Sequence, residues 1–345
     1  VSGGPARVGG GGGVSGTPRG TRAGVLVLGG SGFVGREVCA LLAARGEPVL
    51  SVARGAQDGL PEGVRALRLD LGSDGAGLAL ARLLDAERPH TVVNCVGSIW
   101  GRTDAEMAPA IVAPTERLLA ALGRAAGRPR LVHLGSVLEY GPVPHGGTAR
   151  GPARPDTAYG RAKLAATEAV LAARAAGAVD ALVLRVANVA GPGTPAVSLL
   201  GQVAARLFAG ADAAGGPAGG ALPPPVTVEL SPLRAHRDYV DVRDVADAVV
   251  RATDPAVPAT GAVVDIGRGE AVPVRELVDL LVAVSGVPAR IVERGAPGPD
   301  DWMRVDPGPA RELLGWRPRH ALADAVRAYW EAYRDAAGRA SAVPA

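Results

Sequence analysis

Four aliphatic residues, Val25-Leu-Val-Leu28, run directly into Gly29-Gly-Ser-Gly32-Phe-Val-Gly35, and this junction limits the possible folds more than any other segment. The aliphatic run has the length and character of a strand buried on both faces. Residues 33–45 then place Val34, Val38, Leu41 and Leu42 on one helical face. Between strand and helix, each glycine has a use. Gly29 allows the tight exit from the strand, Gly32 lets the backbone approach a phosphate, and Gly35 lets the helix pack closely on the sheet. The first turn of that helix offers free N–H groups and the positive end of its dipole to an anion. A strand, a glycine turn and a helix in this order is the setting that binds a dinucleotide pyrophosphate.

The alternation continues. Strands are expected at 49–53, 64–69, 91–96, 130–134 and 181–186, and helices at 78–87, 104–126 and 158–176. Such a series predicts an α/β fold, a doubly wound parallel sheet of the Rossmann kind. After Gly191 the rhythm breaks. Proline and glycine dominate 210–225, and helices are expected near 242–251, 274–285, 309–314 and 321–337. The expected organisation is a dinucleotide-binding domain at 23–190. A smaller α/β substrate-binding subdomain, with some return to the Rossmann core, follows at 191–337. Residues 1–22, mostly Gly, Ser, Pro, Ala and Arg, read as a disordered tail with no apolar leader segment, and 338–345 as a frayed end.

Hydrophobic residues make up 48% of the 345, enough for a large core, and no 18-residue apolar run suggests a membrane span. The net charge is only +3, and the arginines form no stripe, which argues against a nucleic-acid partner. Cys39 and Cys95 are expected as core residues in a reducing, cytoplasmic setting. His90, His133, His145 and His320 lack metal-ligand spacing, so no metal is expected.

Lys163 is the single lysine among 37 basic residues. Where arginine serves every other position, one ammonium points to a site that needs a compact charge. Tyr159 stands four residues earlier, on the same face of a predicted helix. A nearby ammonium would lower the phenol pKa and make Tyr159 a usable general acid or base. Ser136, at the end of the fifth strand, can hydrogen-bond a carbonyl or alkoxide. Strand ends in a doubly wound sheet converge on one ligand. The expected cofactor wall is therefore Gly29, Ser31, Gly32, Phe33, Val34, Gly35, Leu71, Cys95, Gly97 and Val186, with Tyr159 and Lys163. The second strand ends in Arg54 with no carboxylate, which favours the 2′-phosphate of NADP over NAD; a solvated surface arginine is the alternative. Asp70 is a candidate acceptor for the adenine amino group. Ser98, Trp100 and Arg102 follow the fourth strand and could line a substrate pocket.

These motifs resemble the extended short-chain dehydrogenase/reductase superfamily, the NAD-dependent epimerase/dehydratase enzymes, from about Val25 to Arg334. The resemblance includes Leu184-Arg-Val-Ala-Asn188, Arg237-Asp-Tyr-Val-Asp-Val-Arg-Asp244 and Leu314-Gly-Trp316-Arg-Pro318. It implies a nucleotide-sugar substrate contacted by Ser98, Val137, Tyr159, Asn188 and Arg237, and a homodimer. Gly135-Ser136-Val-Leu-Glu139-Tyr140-Gly141 looks most like reductases of NDP-4-keto-6-deoxyhexoses, such as the GDP-4-keto-6-deoxymannose type. That implies NADPH-dependent reduction with Tyr159 as proton donor. An NAD-dependent epimerase and a reductase of a non-sugar carbonyl are the alternatives. Dehydratases of this family carry Asp-Glu after the catalytic hydroxyl, whereas Val137 and Leu138 stand here. The family's Arg-Pro-x-Asp segment is represented by residues 295–301 without an arginine, and Arg294 or Arg304 could substitute.

Overall fold

The computed structural model describes residues 22–97, 99–213, 224–258, 263–296 and 301–341. The first half alternates β1 (Val25–Leu28), α1 (Phe33–Ala44), β2 (Val49–Ala53), β3 (Arg65–Arg68), α2 (Ala76–Glu87), β4 (Thr91–Asn94), α3 (Asp104–Leu122), β5 (Arg130–Ser136), α4 (Ala158–Ala175) and β6 (Ala181–Val186). A single 3-10 turn, Val137–Glu139, follows β5. The second half contains β7 (Asn188–Ala190), α5 (Leu199–Ala213), β8 (Val226–Leu230), β9 (His236–Asp241), α6 (Val242–Ala252), β10 (Val263–Ile266), β11 (Ala271–Pro273), α7 (Val274–Ser285), β12 (Ala289–Glu293), β13 (Trp302–Met303), α8 (Gly308–Leu314) and α9 (Leu322–Ser341).

The main sheet is parallel throughout, in the order β3-β2-β1-β4-β5-β6-β10. This is the expected doubly wound α/β sheet. Its seventh strand, β10, comes from beyond residue 191. Period-two alternation sorts the strand residues between two cores. Val25 and Val27 pack with α1, α6 and Trp316, while Leu26 and Leu28 pack with α2, α3 and Val170 of α4. A third core lies among α5, α7 and α9, around Leu207, Leu281 and Trp330. There β9 pairs with β7, β11 and β13, and β8 pairs with β12.

Two expectations change. Part of the Pro/Gly-rich stretch is helical, because α5 extends to Ala213 and buries Leu200, Val203 and Leu207. The remainder of that stretch up to residue 223 lies outside the described residues, as do 1–21 and 342–345. Helix α9 runs to Ser341, so residues 338–341 are helical rather than frayed. No described helix is long and apolar enough to cross a membrane.

Candidate active site

The carboxyl ends of the strands open onto two adjoining cavities of about 550 and 320 Å3, which share Gly32, Cys95 and Gly97. They sit over β1 and β4, where the strand order reverses, the place where open α/β sheets bind ligands.

The glycine turn is shaped by contact. Gly29 has φ +78°, which favours glycine, and a Cβ on Gly35 would lie 2.2 Å from the Gly29 carbonyl. Gly32 caps α1, leaving the first N–H groups of the helix facing the cavity edge.

The larger cavity is lined by Gly29, Ser31, Gly32, Arg54, Asp70, Leu71, Cys95 and Gly97, all expected in the cofactor wall. Arg54 is exposed, and Arg68 donates from Nε to the Arg54 carbonyl at 2.9 Å, so a second guanidinium stands beside it. Asp70 accepts the Gly72 N–H at 2.8 Å. Arg102 lies here rather than in a sugar pocket, and its buried Nε has no hydrogen-bond partner. A cavity with this orphaned donor, an open helix N-terminus and the Arg54 guanidinium fits an anionic dinucleotide.

The smaller cavity is lined by Phe33, Val34, Gly35, Ser136, Tyr159, Lys163 and Val186. Helix α4 brings Tyr159 and Lys163 in. Thr157 caps its start by accepting the Gly160 N–H at 3.0 Å. Met107, Ile111, Ala162 and Ala166 form a small core against which Tyr159 packs. Tyr159 donates toward the Gly97 carbonyl at 3.5 Å and hydrogen-bonds the Ser136 side chain. Lys163 is buried and donates to the Leu134 carbonyl at 2.5 Å.

The electrostatics correct one expectation. Lys163 was expected to lower the Tyr159 pKa, but burial and the Glu139 charge push the phenol up. The ammonium is engaged by a backbone carbonyl, and burial draws it down to about 8 against the opposing field of Glu139.

The expected sugar contacts are more scattered. Ser98 lies outside the described residues. Val137 is buried in the core, and neither it nor Asn188 lines the two cavities. Arg237 is engaged by Asp301, to the carbonyl at 3.0 Å and to the carboxylate. Arg294 pairs with Glu229, and Arg304 donates to Thr148 and Gly146. Instead, Ile99, Val189, Thr194, Pro195 and Ser198 join Trp100 along the cavity. The only sequence signal for the last three was their place just after Gly191-Pro-Gly193.

The model of the NAD dependent epimerase/dehydratase family matches residues 25–267. The chain is similar to dTDP-6-deoxy-L-talose 4-dehydrogenase (NAD(P)(+)) of Kitasatospora kifunensis, with 47% identity over 89% of this chain and 95% of that one. It is similar to UDP-glucose 4-epimerase of Azospirillum brasilense, with 29% identity over 88% and 89%. The solved structure of MoeE5 in complex with UDP-glucuronic acid and NAD has a TM-score of 0.75 and 27% identity, covering 90% of this chain and 99% of MoeE5. A glycine turn, a Ser–Tyr–Lys set and a family match over the whole Rossmann region lead to one statement: the chain belongs to the NAD-dependent epimerase/dehydratase family.

Proposed function

We propose that this chain is an NAD(P)-dependent oxidoreductase acting at C4 of a dTDP-linked 6-deoxyhexose, working as an NADPH-dependent reductase of the 4-keto sugar. The observation that carries this is the 47% identity extending over 95% of a dTDP-6-deoxy-L-talose 4-dehydrogenase. The nucleotide of that relative is dTDP, a choice that the sequence motifs left open.

When bound, the cofactor would supply hydride-transfer chemistry at sugar C4. Tyr159 gives its phenolic proton to O4 in reduction and takes it back in oxidation, and Ser136 hydrogen-bonds the same oxygen. Burial keeps Tyr159 as the neutral phenol, the form that reduction of a ketone requires. Lys163 supplies a positive charge against the cofactor side of the cavity. Arg102 and the α1 N-terminus would hold the pyrophosphate, and Arg54 with Arg68 the 2′-phosphate. Elimination of water is disfavoured because Glu139, the one carboxylate of the turn after Ser136, is buried against Arg185.

The likeness to UDP-glucose 4-epimerases supports a second reading, an epimerase that retains NAD. Purified protein is denatured and the released nucleotide assayed, then fresh protein is titrated with NADPH and NADH. Cofactor-free protein that prefers NADPH and oxidises dTDP-6-deoxy-L-talose with NADP+ supports the reductase. Protein that arrives loaded with NAD and interconverts sugars without net redox change sinks it.

A further inference from the structure

The turn after Ser136 holds a carboxylate that this reaction does not consume. Glu139 is fully buried. Its Oε1 accepts the Ser136 backbone N–H at 2.8 Å and the Thr167 hydroxyl at 3.0 Å, and its Oε2 accepts Arg185 Nε at 2.7 Å. Thr167 lies one helical turn beyond Lys163 on α4, and Arg185 lies on β6. A Cβ on Gly135 would stand 2.7 Å from Glu139 Oε1, so the chain leaves room for this group. On its other side, Arg185 stacks 4.6 Å from the Tyr140 ring centroid. The Tyr140 hydroxyl in turn donates to Asp265 of β10 at 2.9 Å.

Burying a carboxylate is expensive even when it is paired, and a neutral amide could accept the same two hydrogen bonds from Ser136 and Thr167. The charge therefore calls for a use, and its neighbours supply one. Its field falls on both Lys163 and Tyr159. We infer that Glu139 is a positioning residue of the reaction. A single buried carboxylate fastens the strand end carrying Ser136 to the helix carrying Tyr159 and Lys163, and supplies the fixed negative charge beside that pair. The inference rests on the reading of Ser136, Tyr159 and Lys163 as the catalytic set.

The groups facing the pair are few. Glu139 comes from the turn, Cys95 follows β4, His133 lies on β5, and Ser136 ends that strand. Burial keeps His133 neutral and pushes the Cys95 thiol up, so Glu139 is the standing negative charge among them. It opposes the burial that draws Lys163 down, and it adds to the burial that raises Tyr159. Removing it moves both titrations to lower pH.

Oxidation of dTDP-6-deoxy-L-talose by NADP+ is followed across pH in wild type, Glu139→Gln, the double variant Glu139→Gln/Arg185→Met, and Tyr159→Phe. Glutamine keeps an acceptor for Ser136 and Thr167. The double variant leaves no guanidinium unpaired in the interior, so a fold lost in the single variant, read by thermal melting, is restored. The expected result is a kcat/KM profile whose alkaline limb, where the Lys163 ammonium is lost, moves to lower pH by about one unit. The maximal kcat should fall about tenfold, with NADP+ affinity unchanged. A brace without an electrostatic role lowers kcat at every pH and leaves that limb in place, and that result overturns the inference. Turnover surviving in Tyr159→Phe would overturn the catalytic assignment itself. Loss of turnover in Tyr159→Phe with an unmoved alkaline limb in the Glu139 variants overturns only the role given to Glu139.

Discussion

Lys163 is the single lysine of the chain, and its surroundings say why an arginine does not stand there. The side chain is 3% exposed and its ammonium is held by the Leu134 carbonyl, with Gly97 so close that a Cβ there would touch Nζ at 3.4 Å. A guanidinium is larger, planar and presents five donors in a fixed fork, and would not reproduce the single contact of Nζ with the Leu134 carbonyl. Lys163→Arg should therefore cut kcat by about 100-fold or more, measured by NADPH consumption. The two cavity arginines separate by what they touch. Removing a charge-assisted contact costs about 1.5–3 kcal/mol. Arg54→Ala should thus weaken NADPH binding about tenfold or more and leave NADH unchanged. Arg102→Ala should weaken both alike, because the pyrophosphate is common to them. Fluorescence titration of the two cofactors decides this, and an equal loss in Arg54→Ala would remove its 2′-phosphate role.

Helix α4 depends on close contact with the turn that follows Ser136. A Cβ on Gly160 would lie 2.4 Å from the Leu138 carbonyl, a backbone atom that cannot move aside. Gly160→Ala should cost roughly 2 kcal/mol of stability and, by lifting Tyr159 and Lys163 together, lower kcat more than it raises KM. Calorimetry and steady-state kinetics read the two effects. The same turn is tied to β10 through Tyr140 and Asp265, whose carboxyl is raised by burial to about 6. Between its unfolded value near 3.8 and 6, the native state keeps a proton that the unfolded chain releases, so this group's contribution falls as pH rises. Asp265→Asn lacks that slope. Relative to wild type, it should gain about 2 kcal/mol between pH 4 and pH 7 in urea unfolding. A constant difference would contradict the shift. These elements also show what could be read before the fold was seen. β1 and α1 were legible because their packing is local and periodic, and the glycine turn because its steric demands leave one residue type. Tyr159 and Lys163 were legible through their spacing. Glu139 was not, because its partner Arg185 is 46 residues away. The engagement of Arg237 by Asp301 was hidden for the same reason, since it spans 64 residues. Strands of two to six residues around β9 carry no periodicity long enough to detect.

The C-terminal lobe has a core of its own, so something must hold it against the sheet that carries the cofactor cavity. Asp244 of α6 is one such fastening. It is 2% exposed, and its carboxylate accepts the Arg319 and His320 backbone N–H groups at 3.0 Å and pairs with His320 Nδ1 at 2.9 Å. Its carbonyl accepts Trp316 Nε1 at 2.9 Å, and Arg251, two turns further along α6, donates to the Leu314 and Gly315 carbonyls. Helix α6 thus grips the segment that leads from α8 into α9, the helix that fills the lobe core. Asp244→Ala would leave two part-buried N–H groups and an imidazole without their acceptor, at a cost of about 2 kcal/mol. Because the loss falls on the joint and not on either core, the lobe should loosen before the sheet unfolds. The expected signature is faster hydrogen exchange across residues 314–322 and α9, with exchange in β1, β4 and β5 unchanged. Cofactor affinity should hold while the KM for the sugar rises, since the glycine turn belongs to the sheet and the cavity wall formed by Thr194, Pro195 and Ser198 leads into the lobe. Uniform acceleration of exchange through both cores would instead mean that the two parts unfold as a single unit and that Asp244 is simply one more core contact.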